Sequence, residues 1–220
     1  MVIGGRRCTI LTSSEVRHAL GNRLCLDFVN LSLLPGHSPA HTPAWDDLID
    51  FLSAKRILSE DRTERLRNLP ASDVRAAEAL MRRALELSNA LRHCFRAMLR
   101  GQQIAREWIA PINRVLAVTE GHDELEWDGR GWRLGFQARE ERLEWLLAAI
   151  ARSGAELIAE KPDRNLRQCA NPSCQILFYD DSRTRRRRWC SMALCGNRSK
   201  VAAFARRHGA LKARAQQAGG

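Results

Sequence analysis

Cys169-Ala-Asn-Pro-Ser-Cys174 and Cys190-Ser-Met-Ala-Leu-Cys195 mirror each other in spacing and stand fifteen residues apart. Each close pair offers two thiolates from one tight turn, and the intervening segment lets the second turn fold back on the first. Four sulfur donors so arranged suit a tetrahedral Zn²⁺ and close its coordination shell. A catalytic zinc keeps one position open for water or substrate. The expectation is therefore one structural zinc on Cys169, Cys174, Cys190 and Cys195, with no catalysis there. Clustered thiolates also serve as redox switches, but zinc explains the spacing without oxidation.

The other three of the seven cysteines, Cys8, Cys25 and Cys94, are scattered, and Cys25 and Cys94 read as small core residues. An odd cysteine count, with no apolar stretch behind Arg6-Arg7, argues for a reducing cytoplasm over secretion. No run approaches the roughly 18 apolar residues of a membrane span. The 220 residues, 45% hydrophobic and 28% charged, are those of an ordinary globular protein with room for a medium domain and a small one.

Charge divides the chain at the same place. Residues 1–160 hold 22 Lys/Arg and 22 Asp/Glu, whereas residues 161–220 hold 14 against 3, so the whole net charge of +11 lies in the tail. A solubilising tail would account for charge alone, but here it is interleaved with metal ligands and apolar residues. Arg185, Arg186, Arg187 and Arg188 run unbroken into Trp189-Cys190, and Arg198, Lys200, Arg206 and Arg207 follow. Guanidinium groups form fork-like bonds to phosphate oxygens, and a rigid knuckle lowers the entropy lost in each contact. These eight residues are the candidate DNA contacts. Trp189 reads as packing over the metal core.

Working back from the boundary at Lys161-Pro162-Asp163, the pattern predicts an α+β fold. A helix is expected over 139–160, and a hairpin over 125–136 around Asp128-Gly129-Arg130-Gly131. Further helices are expected over 103–118 with Pro111 inside, from an N-cap at Ser72 to about Leu99, and over 44–58. Arg23–Leu31, apolar and partly β-branched, reads as a buried strand. At its end Asp27 and Asn30 are the candidate ligand-binding residues. His37 and His41 share an i, i+4 spacing, but their loop contains prolines and favours no metal. Past the boundary, Leu166–Cys169 and Ile176–Tyr179 read as strands flanking the first knuckle, with Phe178 on the metal core. Two ligands on that knuckle and two near a helix start make a small treble-clef-like zinc finger with four cysteine ligands.

The stretch Cys169 to Arg207 resembles the CGNR zinc-finger family of bacterial proteins, through Cys195-Gly196-Asn197-Arg198, Arg188-Trp189-Cys190-Ser191-Met192 and Lys200-Val201-Ala202-Ala203-Phe204. The N-terminal part resembles the α/β domain of stress-induced transcription regulators that precedes that finger. That likeness rests on Leu26-Asp27-Phe28-Val29-Asn30 and Trp45-Asp46-Asp47-Leu48. Where the family continues with Thr after the Asn, Leu31 stands here. The resemblance implies a DNA-binding transcription regulator, not an enzyme, with residues 1–160 sensing an effector or dimerising and residues 161–220 forming the finger. Coupling would run along the helix that ends near Glu160. The alternative is a zinc-stapled module that meets RNA or an acidic protein surface.

Overall fold

A computed structural model describes residues 20–33, 44–117, 121–127, 131–138, 143–160 and 165–205. Cys8, the His37/His41 loop, the boundary at 161–164, and Arg206 and Arg207 lie outside them. The fold is α+β: a mostly helical body, a β-hairpin, and a cysteine-bearing module with its own two-stranded sheet.

The stretch expected as a strand is a helix. α1 (Leu24–Asn30) is continued by a 3-10 turn, Leu31–Leu33. Six of its seven residues are buried, so no polar face marks a helical period. A short apolar run enclosed on all sides reads alike as either element. The candidate residues Asp27 and Asn30 thus sit inside a buried helix, not at a strand end.

α2 (Trp45–Ala54) starts where Asp47 Oδ2 accepts from the Ala44 N–H at 2.8 Å. It stops short of Leu58, because Arg56 turns left-handed at φ 56° and the Ile57 N–H bonds back to the Leu52 carbonyl at 2.9 Å. α3 (Glu60–Arg67), capped by Ser59, escapes the periodicity reading because only Thr63 on it is buried. A short α4 (Leu69–Ser72) uses up Ser72, so the cap of α5 (Val74–Leu99) is Asp73, whose Oδ1 accepts from the Ala76 N–H at 3.0 Å. Of the apolar residues expected along this helix, Ala77, Leu80, Leu87, Leu91 and Phe95 are buried, Met81 and Leu85 are half-buried, and Val74 in the first turn is exposed. α6 (Arg106–Ala117) carries Pro111 within it.

The hairpin is β1 (Gly121–Trp127) against β2 (Trp132–Ala138), antiparallel, with Leu125 opposite Leu134 and Trp127 opposite Trp132. α7 (Ala148–Ala159) follows a 3-10 turn, Leu143–Leu147, while the expected start of this helix at Arg139 lies outside the described residues. No described helix is long and apolar enough to cross a membrane. Cys25 and Cys94 are fully buried, in line with a core role.

The C-terminal module docks on the helical body through one continuous core, to which Leu166, Ile176, Leu177 and Phe178 contribute beside Leu26, Leu91 and Phe95. The two strands expected beside the first knuckle are present: β3 (Leu166–Gln168) and β4 (Leu177–Tyr179) pair antiparallel. Along β4 the peptide groups alternate sides. Phe178 lies opposite Arg167 on β3, whereas the outward groups of Leu177 and Tyr179 meet the α1 region. Asn30, 1% exposed, donates from Nδ2 to the Leu177 carbonyl at 2.7 Å and accepts from the Leu177 N–H at Oδ1, 3.0 Å. The Tyr179 N–H donates to the Gly21 carbonyl at 2.8 Å, and Asn22 Nδ2 donates to the Tyr179 carbonyl at 3.3 Å. The side-chain amide of Asn30 thus stands in for a neighbouring strand.

Asn30→Ala would leave a buried N–H and a buried carbonyl on Leu177 without partners, which costs about 2–4 kcal/mol in all. Urea unfolding at constant metal concentration should register that loss. Asn30→Asp, isosteric but turning an acceptor toward the Leu177 carbonyl, should be no milder.

Candidate metal centre and basic loop

The ligand atoms of Cys169, Cys174, Cys190 and Cys195 all lie within 4.8 Å of one another. The sulfurs of Cys174 and Cys190 are 3.9 Å apart. Thiolates about 2.3 Å from a tetrahedral metal would be roughly 3.8 Å apart, so the four residues fit such an ion. Local backbone bonds shape each knuckle. The Cys174 N–H reaches the Asn171 carbonyl at 2.8 Å, and the Cys195 and Gly196 N–H groups share the Ser191 carbonyl at 3.0 and 3.1 Å. Of the second pair, Cys195 sits on a widened helical turn, Met192–Gly196, which continues as α-helix through 197–205, and Cys190 lies just before its cap Ser191.

Outer donors already point at the sulfurs. The Cys190 N–H lies 3.4 Å from Cys169 Sγ, and Asn171 Nδ2 lies 3.4 Å from Cys195 Sγ. Such donors orient and stabilise thiolate ligands. Crowding also drives the thiols apart in acidity. The hydrogen bond with Cys190 takes Cys174 down to about 5, while that same bond, then burial, pushes Cys190 up. Burial raises Cys169 as well. Four sulfurs at this separation cannot ionise together without a cation to balance them, and the donor set is what a structural metal needs.

Between the knuckles, residues 180–188 form a tightly held loop around Asp180, which is 0% exposed. Its Oδ1 accepts from the Ser182 hydroxyl at 2.5 Å and the Ser182 N–H at 3.2 Å, and its Oδ2 accepts from the Arg187 N–H at 2.9 Å. Arg167 Nε stands 3.3 Å from Oδ2, close enough to pair by charge but off the line of a hydrogen bond. Burial pushes the Asp180 carboxyl up, but the Ser182 hydroxyl, the two N–H donors and Arg167 outweigh it and hold it below the usual carboxylate range. Arg185 turns left-handed at φ 48°, and its carbonyl accepts from Arg167 at 2.6 Å. The Ala170 N–H on the first knuckle bonds the Arg188 carbonyl at 2.8 Å.

This frame divides the arginine run. Arg185, Arg186 and Arg188 are exposed, as are Arg198 and Lys200 on the following helix. Arg187, by contrast, is half-buried. Its Nε donates to the Trp189 carbonyl at 3.0 Å, and its Nη2 donates to the carbonyls of Leu20 (3.2 Å) and Cys190. Its guanidinium also lies 4.4 Å over the Phe178 ring. With those donors spent inside the protein, Arg187 works as a bolt between the loop, the second knuckle and the helical body. Arg183, exposed on the same loop, joins the basic face although it stands apart from the unbroken run. Trp189 is half-buried beside Gly196, with Arg188 5.3 Å over its ring.

Asp27 and Asn30, the candidate ligand-binding residues, are buried and engaged with groups of the protein itself. Asp27 Oδ1 accepts from the Gly21 N–H at 2.6 Å and Oδ2 from Lys55 Nζ at 2.5 Å. Burial lifts its carboxyl, against the charge and hydrogen bond of Lys55. A side chain at Gly21 would sit 2.6 Å from Leu26 Cβ and 2.8 Å from the Asp27 nitrogen, so only glycine fits that approach. Both α1 residues position the chain that receives β4. The signals for this were present: Asp180-x-Ser182 is a turn-forming spacing, and a buried Asp–Asn pair on an apolar run needs partners.

Two outcomes test the site. Chelation, or Cys174→Ser, should release metal and erase hydrogen-exchange protection of the β3–β4 amides while leaving that of α5, since metal affinity is folding free energy in such modules. Because the folded Asp180 carboxyl is held low, its contribution is complete above the ordinary carboxylate pKa and lost as pH falls through its own lower value. Asp180→Asn should therefore flatten the acid limb of the stability–pH profile of the metal-loaded protein.

Comparison with known families agrees with this architecture. Residues 165–208 match the CGNR zinc finger model. No curated protein matches the chain. Residues 22–161, well over half of its length, match the model described as "Putative stress-induced transcription regulator", and the chain belongs to that family.

Proposed function

We propose that the protein is a zinc-containing, DNA-binding transcription regulator whose helical domain senses an effector, and that it is not an enzyme. One observation carries the reading. The four thiol ligands and the exposed arginines are parts of the same hydrogen-bonded frame, so a bound zinc would stiffen a cationic face. Zinc would sit on Cys169, Cys174, Cys190 and Cys195 and supply charge balance and a fixed corner; four thiolates leave no position for substrate. The contacts to phosphate fall to Arg183, Arg185, Arg186, Arg188, Arg198 and Lys200, all exposed. The exposed Val201 and Phe204 on the same helix, 68% and 58% exposed, favour a protein partner as the second reading.

Communication with the effector domain runs across the β4 seam rather than along the helix to Glu160. That helix end contributes one exposed pair, Arg23–Glu160 at 3.5 Å, whereas Asn30, Gly21 and Arg187 tie the module in by hydrogen bonds that include two buried ones to Leu177.

Six neutralised phosphates give a slope of about −5 in log affinity against log salt on duplex DNA. Arg186→Ala should flatten that slope by about one and weaken all sequences alike. Arg187→Ala should instead lower thermal stability together with affinity. Gel shifts on duplex DNA, single-stranded RNA and an acidic protein separate the readings; salt-insensitive or absent duplex binding removes the first.

A further inference from the structure

We propose that the corner where α5 turns into α6 is a binding site for a small organic anion, a carboxylate or phosphate. The site deepens the effector-sensing reading and takes its biological purpose from it, but the binding itself stands apart from DNA. A cavity of about 270 Å³ opens there, lined among others by His93, Arg96, Arg100, Gln102, Gln103 and Trp108. The His93 and Trp108 rings stack face to face, centroids 3.8 Å apart and planes 5° apart, which gives one wall a flat aromatic edge.

Charge is the distinguishing feature. Arg92, Arg96 and Arg100 recur every four residues on one face of α5 and its cap, and among the described residues none pairs with a carboxylate. Arg92 is spent on the Val29 carbonyl and on Ser32 Oγ, the latter at 2.7 Å. Burial, and then the charge of Arg96, bring it down to about 10. A helix C-terminus ordinarily repels anions. Here the Ala97 and Met98 carbonyls are taken: the Gly101 N–H bonds Met98 at 3.1 Å and the Gln102 N–H bonds Ala97 at 2.9 Å, with Gly101 left-handed at φ 62°. The lining supplies two guanidinium groups, Arg96 and Arg100, and two carboxamides, Gln102 and Gln103. Its size suits a ligand smaller than the drug-sized ones held in roughly 300–1,000 Å³ pockets.

The site also touches the metal module. Arg96 donates to Gln175 Oε1 at 3.0 Å, next to the ligand Cys174. An anion that recruits Arg96 would act on the first knuckle through that single hydrogen bond.

The test follows tryptophan indole resonances of the intact, metal-loaded protein at fixed pH and ionic strength, with inorganic phosphate and benzoate as probes. Trp108, assigned by its loss in Trp108→Phe, should shift saturably with one or both probes. Arg100→Ala should weaken that response by about tenfold, the value of one charge-assisted hydrogen bond. Trp189 reports anions at the basic loop, and its response should persist in Arg100→Ala. The proposal is overturned if Trp108 fails to move, moves without saturating, or moves equally in Arg100→Ala. Loss of duplex binding in gel shifts would sink the DNA reading while leaving the Trp108 response untouched.

Discussion

Four thiol groups gathered within 4.8 Å carry a built-in demand for a cation, and the order of the C-terminal module follows from meeting it. The module is too small to bury a large core of its own. Its strands are three residues each, and its backbone runs through turns whose peptide groups point at sulfur or at one another. A metal held by both knuckles fixes the distance between the strand pair and the following helix. The basic loop, strung between Tyr179 and Trp189, then has both ends pinned.

The second constraint is the buried polar seam. Asp180 and Asn30 are almost wholly removed from water, and Asp27 nearly so. Each is satisfied by backbone groups or cations, a condition that buried polar residues must meet to be tolerated at all. Such contacts are directional, so they set the angle at which the module meets the helices more strictly than apolar packing could. Arg187 belongs to this seam and not to the solvent-facing surface, although the arginines on either side of it are exposed.

Much of this was legible beforehand. The metal ligands followed from spacing, the long helix from its apolar stripe, the hairpin from alternation around Asp128-Gly129-Arg130-Gly131. What failed to show has physical reasons. α1 is buried on every side and offers no period, so it read as a strand. α3 buries little, and a helix without an apolar face is invisible to a hydrophobicity argument. The inward turn of Arg187 depends on carbonyls from Leu20, Trp189 and Cys190, one of them distant in the chain, and nothing in four identical letters separates the third from its neighbours.

The α1 region does more than anchor β4: it occupies all four outward peptide groups of Leu177 and Tyr179. A strand border left bare invites addition of a foreign strand, and proteins normally blunt it. Here the blunting comes from another part of the chain, through a side-chain amide impersonating a peptide. Excision of residues 165–205 would uncover that border, so a stand-alone finger would be prone to self-association even with its metal in place.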